Sequence, residues 1–341
     1  MLRPLFWEGD HLVLLDQTLL PWEERWLRLR FWEEVAAAIQ ALRVRGAPAI
    51  GIAAAYALAL AARHPKPGRT PQEECLLALA ALRKSRPTAV NLFWALDRME
   101  QIFLDHRDRP DLGDRLLAEA QRIQEEDIAA NQRIGALGAA LLPQGARVLT
   151  ICNTGALATG GHGTALGIIR TAWREGKLRM VYVCETRPVL QGARLTAWEL
   201  LREGIPLRVL ADFAAGLLFL RGEVDAVLVG ADRIARNGDF ANKIGTYVLA
   251  VLAARHRVPF YAVAPSSSFD VSLASGAQIP IEERPEEEVL APYGWRFAPE
   301  GARAWNPAFD VTPGELVSAF IMEKGAIRPP YDRAIPAALS G

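Results

Sequence analysis

The chain has 341 residues, of which 39 are basic, 39 are acidic and 51% are hydrophobic. This composition is typical of a globular protein with one large or two ordinary domains, and it excludes disordered and collagen-like chains. The balanced charge gives no general attraction to nucleic acid or to anionic lipid, because both need a basic excess, so we expect neither as a partner.

The N-terminal residues, the longest apolar run and the cysteines also limit the location and the function of the protein. Residues 1–10 lack the charged start, apolar stretch and cleavage site of a secretory signal, so we expect a cytoplasmic protein. The longest nonpolar run, Ala47 to Ala62, contains Pro48 and is shorter than a membrane span, which indicates a buried helix. Three cysteines without a C-x-x-C pair argue against a disulfide framework and against structural zinc.

The N-terminal part predicts a hairpin followed by helices. Leu5 to Leu20 places Gly9 and Asp10 between two apolar stretches, as in a small β-hairpin. Alanine- and leucine-rich segments with Pro and Gly between them then predict helices over 32–42, 51–62, 73–83, 90–103 and 112–142. Residues 1–143 are therefore expected to form a mainly helical domain in which the hairpin is the only β element.

After residue 143, short β-rich runs alternate with helical segments. The runs cover 147–152, 180–184, 207–210, 225–230 and 259–264, and each is nearly continuous in apolar residues, as expected of strands covered on both faces. Helices are predicted at about 163–175, 192–203, 213–219 and 242–256. Residues 144–341 thus predict an α/β domain with a doubly wound, Rossmann-like parallel sheet.

Ligands of such sheets bind beyond the carboxyl ends of the strands, so the residues after each run are candidates. Cys152 ends the first run before a glycine-rich turn and a helix, surroundings that favour reactive thiolates; a buried structural cysteine is the alternative. Asp232 follows the fourth run, where a carboxyl group can act as a general acid or can brace the loop.

Several residues could bind an anion or a sugar. Arg45 and Arg86 each precede a Pro-initiated helix, where a guanidinium and backbone N–H groups can bind an anion together. Gln191 opens a helix and offers both a donor and an acceptor to a hydroxyl group. Asn242 and Lys243 are predicted at the start of helix 242–256, where lysine can anchor a phosphate. The histidines are scattered, so we expect no metal site.

A nicotinamide or flavin site is the main alternative for the glycine-rich segment. Gly161 and Gly163 precede a predicted helix, as in a dinucleotide fingerprint. The third glycine, Gly167, falls one position late, and the approach from Cys152 is longer than the tight first turn of that motif. We therefore expect no cofactor.

Motifs distributed over the chain resemble the methylthioribose-1-phosphate isomerase family. They are VRGAPAIG (44–51), RPTAVN (86–91), CNTG (152–155), GGHGT (160–164), ETRP (185–188), GADR (230–233), NKIGT (242–246) and NPAFDVTP (306–313). The resemblance implies an enzyme of methionine salvage that converts 5-methylthio-ribose 1-phosphate to 5-methylthio-ribulose 1-phosphate, with Cys152 and Asp232 as catalytic residues. It also implies a homodimer, and substrate contacts from Arg45, Gly46, Ala47, Arg86, Gln191, Asn242 and Lys243.

Two related families leave alternatives open. Ribose-1,5-bisphosphate isomerases differ in the group that they accept at the sugar 5-position. Regulatory subunits of the eukaryotic initiation exchange factor share the fold but look unlike this chain at the catalytic positions, so Cys152 and Asp232 favour catalysis. Proton transfer through an enolate and a hydride shift from C2 to C1 are both compatible with these residues.

Overall fold

The computed structural model describes residues 2–86 and 90–340. The described chain forms two compact units. Unit 1 contains the chain up to Gln132 together with Gly155–Gly163, and unit 2 contains Arg133–Thr154 and the chain from Thr164 onward. The sequence begins to alternate between strands and helices after residue 143, whereas the boundary between the two units lies earlier, between Gln132 and Arg133 in the preceding helix. The functional domain bounds 1–143 and 144–341 stay a prediction.

A three-stranded antiparallel sheet opens unit 1, formed by β1 (Leu5–Glu8), β2 (His11–Leu15) and β3 (Trp26–Leu29). The first two strands are the predicted hairpin, with Gly9 at a φ of +58° between them. The expectation that only helices follow the hairpin is wrong, because β3 pairs with residues Leu12–Leu15 of β2. The sequence of β3, WLRL, contains Arg28 and is bounded by Arg25 and Arg30, so it lacks the continuous apolar run that indicates a buried strand.

The predicted helices of unit 1 are present with shifted ends. They are α1 (Trp32–Gln40), α2 (Ala47–Arg63), α3 (Pro71–Ser85), α4 (Val90–His106) and α5 (Leu112–Ala139), and the last of these continues into unit 2. Every residue of α2 from Ala49 to Ala62 is buried, which confirms the buried helix and explains why it is apolar all round. Among residues 2–86 and 90–340, no helix has the length and hydropathy needed to cross a membrane.

Unit 2 is built on a seven-stranded sheet with the order β14-β13-β10-β7-β4-β5-β6. The five strands that the sequence predicts are present in it as β4 (Ala146–Thr150), β5 (Leu178–Cys184), β6 (Leu207–Leu210), β7 (Ala226–Gly230) and β10 (Phe260–Val263). All five pair in parallel, which confirms the predicted α/β fold class. The sheet also contains β13 (Ala319–Met322), parallel to β10, and β14 (Gly325–Ile327), antiparallel to β13.

Six α-helices of the described chain begin within unit 2. They are α6 (Ala165–Arg174), α7 (Ala197–Arg202), α8 (Ala215–Leu220), α9 (Thr246–His256), α10 (Glu287–Leu290) and α11 (Tyr331–Ser340). A π-helical turn, Gly192–Thr196, leads directly into α7. Such turns widen a helix locally and are frequent at functional sites.

A second sheet of unit 2 corrects one predicted helix. Its order is β11-β8-β9-β12, formed by β8 (Arg233–Ala235), β9 (Phe240–Lys243), β11 (Phe269–Asp270) and β12 (Phe309–Thr312). The predicted helix 242–256 begins only at Thr246, because Asn242 and Lys243 pair with β12 as part of β9. Gly245, at a φ of +101°, turns the chain from β9 into α9.

Candidate active site

Cys152 lies two residues beyond β4, at the carboxyl edge of the large sheet where the sequence predicts it. Cys152 is 7% exposed to solvent. Its φ of +65° is in the left-handed region, which is uncommon for a residue with a side chain. Its backbone N–H donates to Oγ1 of Thr186 at 2.9 Å, in the loop after the neighbouring strand β5. The thiol is thus carried on a backbone conformation that tertiary contacts must maintain.

Asp232 lies two residues beyond β7, which ends at Gly230. Strand β7 is the parallel neighbour of β4, so the loops that carry Asp232 and Cys152 leave the same edge of the sheet. The backbone N–H of Asp232 donates to the carbonyl of Ala241 at 2.9 Å, which ties this loop to β9. The residue is half-buried. The structure therefore brings together the two loops that the sequence singles out.

Close packing at two glycines joins these loops to β9. A Cβ built on Gly230 would lie 2.7 Å from Cγ2 of Thr154, in the loop of Cys152, and 3.7 Å from Oδ1 of Asn242. A Cβ built on Gly245 would lie 3.0 Å from Cδ1 of Ile151. Larger residues at either position would push the Cys152 loop away from β7 and α9.

Asn242 and Lys243 hold positions different from those predicted. Both belong to β9 rather than to a helix start, so the predicted helix-terminal phosphate anchor is wrong in its geometry. Asn242 Nδ2 donates to Oγ1 of Thr246 at 2.9 Å, and the Lys243 ammonium lies 5.0 Å from the ring centroid of Phe309 on β12. A cation–π contact with Phe309 therefore orients the Lys243 side chain.

Gln191 opens the helical segment after β5, as predicted, and precedes the π-helical turn. The residue is 9% exposed, and within the described chain its Oε1 atom is buried with no hydrogen-bond partner. Buried polar atoms in native proteins nearly always have a partner, so an acceptor of this kind suits a hydroxyl donor from a ligand. Nearby, burial and the charge of Asp212 raise the pKa of Glu185 above its ordinary value.

Unit 1 contains a separate group of predicted binding residues. Arg45 and Gly46 immediately precede α2, and Ala47 is its first residue, as expected. Gly46 has a φ of +91°, and a Cβ there would lie 2.5 Å from Cβ of Ala158, so only glycine fits. Arg86 directly follows α3. The Pro-initiated helix start predicted after it falls on residues 87–89, outside the described residues.

Comparison with known proteins identifies the family. A family model described as the initiation factor 2 subunit family matches residues 43–329. A methylthioribose-1-phosphate isomerase from Pelotomaculum thermopropionicum is 53% identical over 348 residues, which cover 100% of this chain and 95% of that protein. The chain belongs to the methylthioribose-1-phosphate isomerase family. The resemblance inferred from the motifs is thereby confirmed.

Solved structures show the isomerase-family fold from end to end. The 5-methylthioribose 1-phosphate isomerase of Pyrococcus horikoshii matches with a TM-score of 0.92 and 45% identity, covering 100% of this chain and 96% of that one. A structure titled translation initiation factor eIF-2B, subunit delta, from A. fulgidus matches with a TM-score of 0.89 and 44% identity over 100% of both chains. Proteins with either title therefore share the fold of this chain.

Asp310 is a buried carboxyl group beside Asn242 that the sequence analysis of this isomerase-family chain did not single out. It lies on β12 opposite Asn242, and its carboxylate accepts hydrogen bonds from the N–H groups of Gly245 at 2.7 Å and Tyr247 at 3.1 Å. It therefore caps the start of α9. Burial raises the pKa of Asp310 to about 6, although both backbone bonds and Lys243 act in the opposite direction. The motif NPAFDVTP contained it, but no feature of the sequence separated it from its neighbours.

The other two cysteines of this isomerase-family chain, Cys75 and Cys184, are buried. Burial raises the pKa of Cys75, in the core of unit 1, to about 12. Burial also raises the pKa of Cys184, the last residue of β5. Both thiols are held in the protonated form and are inert by comparison with an exposed cysteine. In the part of the chain that the structure describes, none of the three cysteines forms a disulfide.

Proposed function

We propose that this protein is an aldose-ketose isomerase that converts 5-methylthio-ribose 1-phosphate to 5-methylthio-ribulose 1-phosphate. One observation carries the proposal: a chain similar over its full length to named isomerases has Cys152 and Asp232 in loops that leave the same edge of its parallel sheet. A thiol and a carboxyl group at one edge can transfer two different protons of a single sugar.

The reaction needs an acid and a base because the C1 phosphate masks the aldehyde. Asp232 in its acid form donates a proton to the ring oxygen as the C1–O4 bond breaks. The Cys152 thiolate then takes the proton from C2, and the C–H electron pair forms the C1=C2 double bond of an enol phosphate. The thiol returns this proton to C1 while the Asp232 carboxylate takes the proton of the C2 hydroxyl. Both groups end in their starting forms, and the product is the 2-ketose.

The remaining predicted site residues are assigned to substrate binding. In unit 2, Gln191 offers its buried Oε1 atom to a sugar hydroxyl, and Asn242 and Lys243 supply an amide and a positive charge. In unit 1, Arg45, Gly46 and Ala47 precede or open α2, where backbone N–H groups favour an anion. Arg86 is assigned the same role from its motif alone.

An assay with three additions tests the function. Wild-type protein is incubated with methylthioribose 1-phosphate, with ribose 1,5-bisphosphate, and with the former plus NAD. We expect turnover of the thioether substrate without NAD. Preferred turnover of the bisphosphate would assign the chain to the other isomerase, NAD-dependent oxidation would make it a dehydrogenase, and no turnover would support a regulatory subunit.

Matched variants test the two catalytic roles. We expect Cys152→Ala and Asp232→Asn each to lower kcat by at least about 10²-fold, the usual contribution of a general acid or base. Cys75→Ala and Asp225→Asn are the controls, because Cys75 is a core residue of unit 1 and Asp225 pairs with Arg147. Near-normal turnover of either catalytic variant would remove that residue from the mechanism.

The reaction in deuterated water tests the enol intermediate. Proton exchange of the Cys152 thiol with solvent would place deuterium at C1 of the product, whereas a direct hydride shift from C2 to C1 would place none there. We expect deuterium at C1. A product without deuterium, also when turnover is slowed by the Asp232→Asn substitution, would contradict the proposed proton transfer.

We also propose that the protein is a cytoplasmic homodimer that binds no nucleic acid. Three cysteines without a disulfide among the described residues are typical of a reducing compartment, and the equal numbers of acidic and basic residues give no general attraction to nucleic acid. Light scattering of the purified protein measures the mass directly. A mass of one chain, 37.4 kDa, would contradict the dimer.

A further inference from the structure

The backbone of Cys152 is held at both of its polar groups by threonine hydroxyls. Its N–H donates to Oγ1 of Thr186 at 2.9 Å, and its carbonyl accepts from Oγ1 of Thr196 at 2.6 Å. Both threonines are completely buried. A non-glycine residue at a φ of +65° persists only where its surroundings over-determine its conformation, and these two bonds supply that determination.

Thr186 is itself held in an unusual conformation. Its φ is +69°, which for a β-branched residue is a true outlier. The carboxylate of Asp212 accepts the N–H groups of Thr186 and Arg187, each at 2.7 Å, and the Thr186 hydroxyl donates to the carbonyl of Cys184 at 2.9 Å. The acceptor for the Cys152 N–H is therefore fixed from two directions.

Thr196 is placed by the π-helical turn and by a buried ion pair. Thr196 ends the turn Gly192–Thr196, and Glu199 follows three residues later on the same helical face. The amide of Asn153 donates to Glu199 at 2.7 Å and to the Thr196 hydroxyl at 3.3 Å. Arg170 donates to the other oxygen of Glu199 at 2.6 Å, and both side chains are almost fully buried.

We propose that Thr186, Thr196 and Glu199 are positioning residues, which hold the Cys152 loop in its left-handed conformation so that the thiol has the orientation needed for proton transfer. The two hydroxyls act on Cys152 through its backbone, and Glu199 acts through Asn153, the next residue. The kinetic part of this inference rests on the proposed isomerase function. The conformational part does not rest on that function, since it concerns only the orientation of the Cys152 thiol.

The Thr196→Val and Thr196→Ser pair tests the hydroxyl at nearly constant side-chain size. We expect Thr196→Val to lower kcat by about 10–10²-fold with little change in KM, because a small misplacement of a reacting group costs rate rather than binding. Thr196→Ser retains the hydroxyl and should restore most of the rate. Thr171→Val is the control, because that hydroxyl donates to the Gly167 carbonyl within its own helix, α6.

Thiol alkylation provides a reading that does not depend on isomerase activity. The rate at which iodoacetamide labels Cys152 is followed by mass spectrometry of its peptide, with circular dichroism to confirm folding. We expect Thr196→Val to change this rate by more than about threefold, because thiol reactivity follows its immediate surroundings, and Thr196→Ser to leave it near wild type. Thr186→Val takes the place of Thr196→Val if the latter does not fold.

The outcomes separate this inference from the proposed function. A wild-type protein without isomerase activity would refute the function, while a changed alkylation rate in Thr196→Val would still support the positioning role. An unchanged alkylation rate, or a Thr196→Ser variant as slow as Thr196→Val, would overturn the positioning role even in an active isomerase. A raised KM with unchanged kcat would overturn it as well, because it would indicate a role in binding.

Discussion

The buried carboxyl group of Asp310 predicts an unusual pH dependence of stability. Burial raises its pKa from 3.8 to about 6 in the folded protein. Between these values the folded state binds more protons than the unfolded state, so the free energy of unfolding falls as pH rises. A difference of about two units corresponds to about 3 kcal/mol, of which about 2 kcal/mol is lost between pH 4.5 and pH 7.

The substitution Asp310→Asn removes this titration while keeping an oxygen that can accept from α9. We would measure denaturant unfolding of both proteins at several pH values and compare their free energies of unfolding at each. The stability of wild type relative to the variant is expected to fall by about 2 kcal/mol from pH 4.5 to pH 7. A difference that stays constant, or that grows with pH, would refute the reasoning.

Asp225 provides a control, because its pKa is shifted in the direction opposite to that of Asp310. Hydrogen bonds from Arg147 lower the pKa of Asp225, so its contribution to stability is complete above pH 3.8 and is lost only as the solution becomes more acidic. The difference between wild type and Asp225→Asn should therefore be nearly constant from pH 5 to pH 7. A fall like that expected for Asp310→Asn would indicate a general effect of charge.

Three further substitutions test close packing and anion binding. Gly192→Ala should destabilise the protein by about 1–3 kcal/mol or prevent folding, because its Cβ would lie 1.8 Å from a backbone oxygen. Gly216→Ala is the control and should be tolerated, because its Cβ would meet no atom within 4 Å. A thermal melt of each variant measures the difference. Gly46→Ala should destabilise more than Gly68→Ala, because both have a positive φ but only the former meets neighbouring atoms. Arg45→Ala should raise KM through loss of a charge-assisted bond of about 1.5–3 kcal/mol, and an unchanged KM in steady-state kinetics would contradict its assignment.

A continuous apolar run decided whether the sequence could predict a strand of unit 2. Strands β4, β5, β6, β7 and β10 were predicted because parallel strands buried on both faces are continuous apolar runs. Strand β3 and the second sheet of unit 2 were missed because their strands are short and are not continuous apolar runs: their sequences, WLRL, RIA, FANK, FD and FDVT, each contain a polar or charged residue. The start of α9 was predicted too early because β9 continues directly into it through Gly245.

The sequence predicted where the site residues lie better than how they are held. Cys152 and Asp232 could be placed at one edge because parallel strands direct their carboxyl ends to the same side. The cap formed by Asp310 could not be predicted, because it joins residues more than sixty positions apart in the chain. Lys243 was assigned to a helix start, and only the pairing of β9 with β12 shows that it faces Phe309 instead.

The conformation of Cys152 shows why this part of the site is beyond local sequence reasoning. Left-handed backbone at Cys152 and at Thr186 costs about 1–3 kcal/mol at each residue, so local preferences favour other conformations at both. The buried pair of Arg170 and Glu199 gives little net stability, because desolvation opposes its Coulomb attraction. Its effect is instead directional, since Glu199 fixes the amide of Asn153 and so the residue that follows Cys152. The strained backbone of Cys152 and the buried ion pair of Arg170 and Glu199 are therefore parts of one arrangement. This arrangement does not favour stability, and the orientation of the Cys152 thiol explains it.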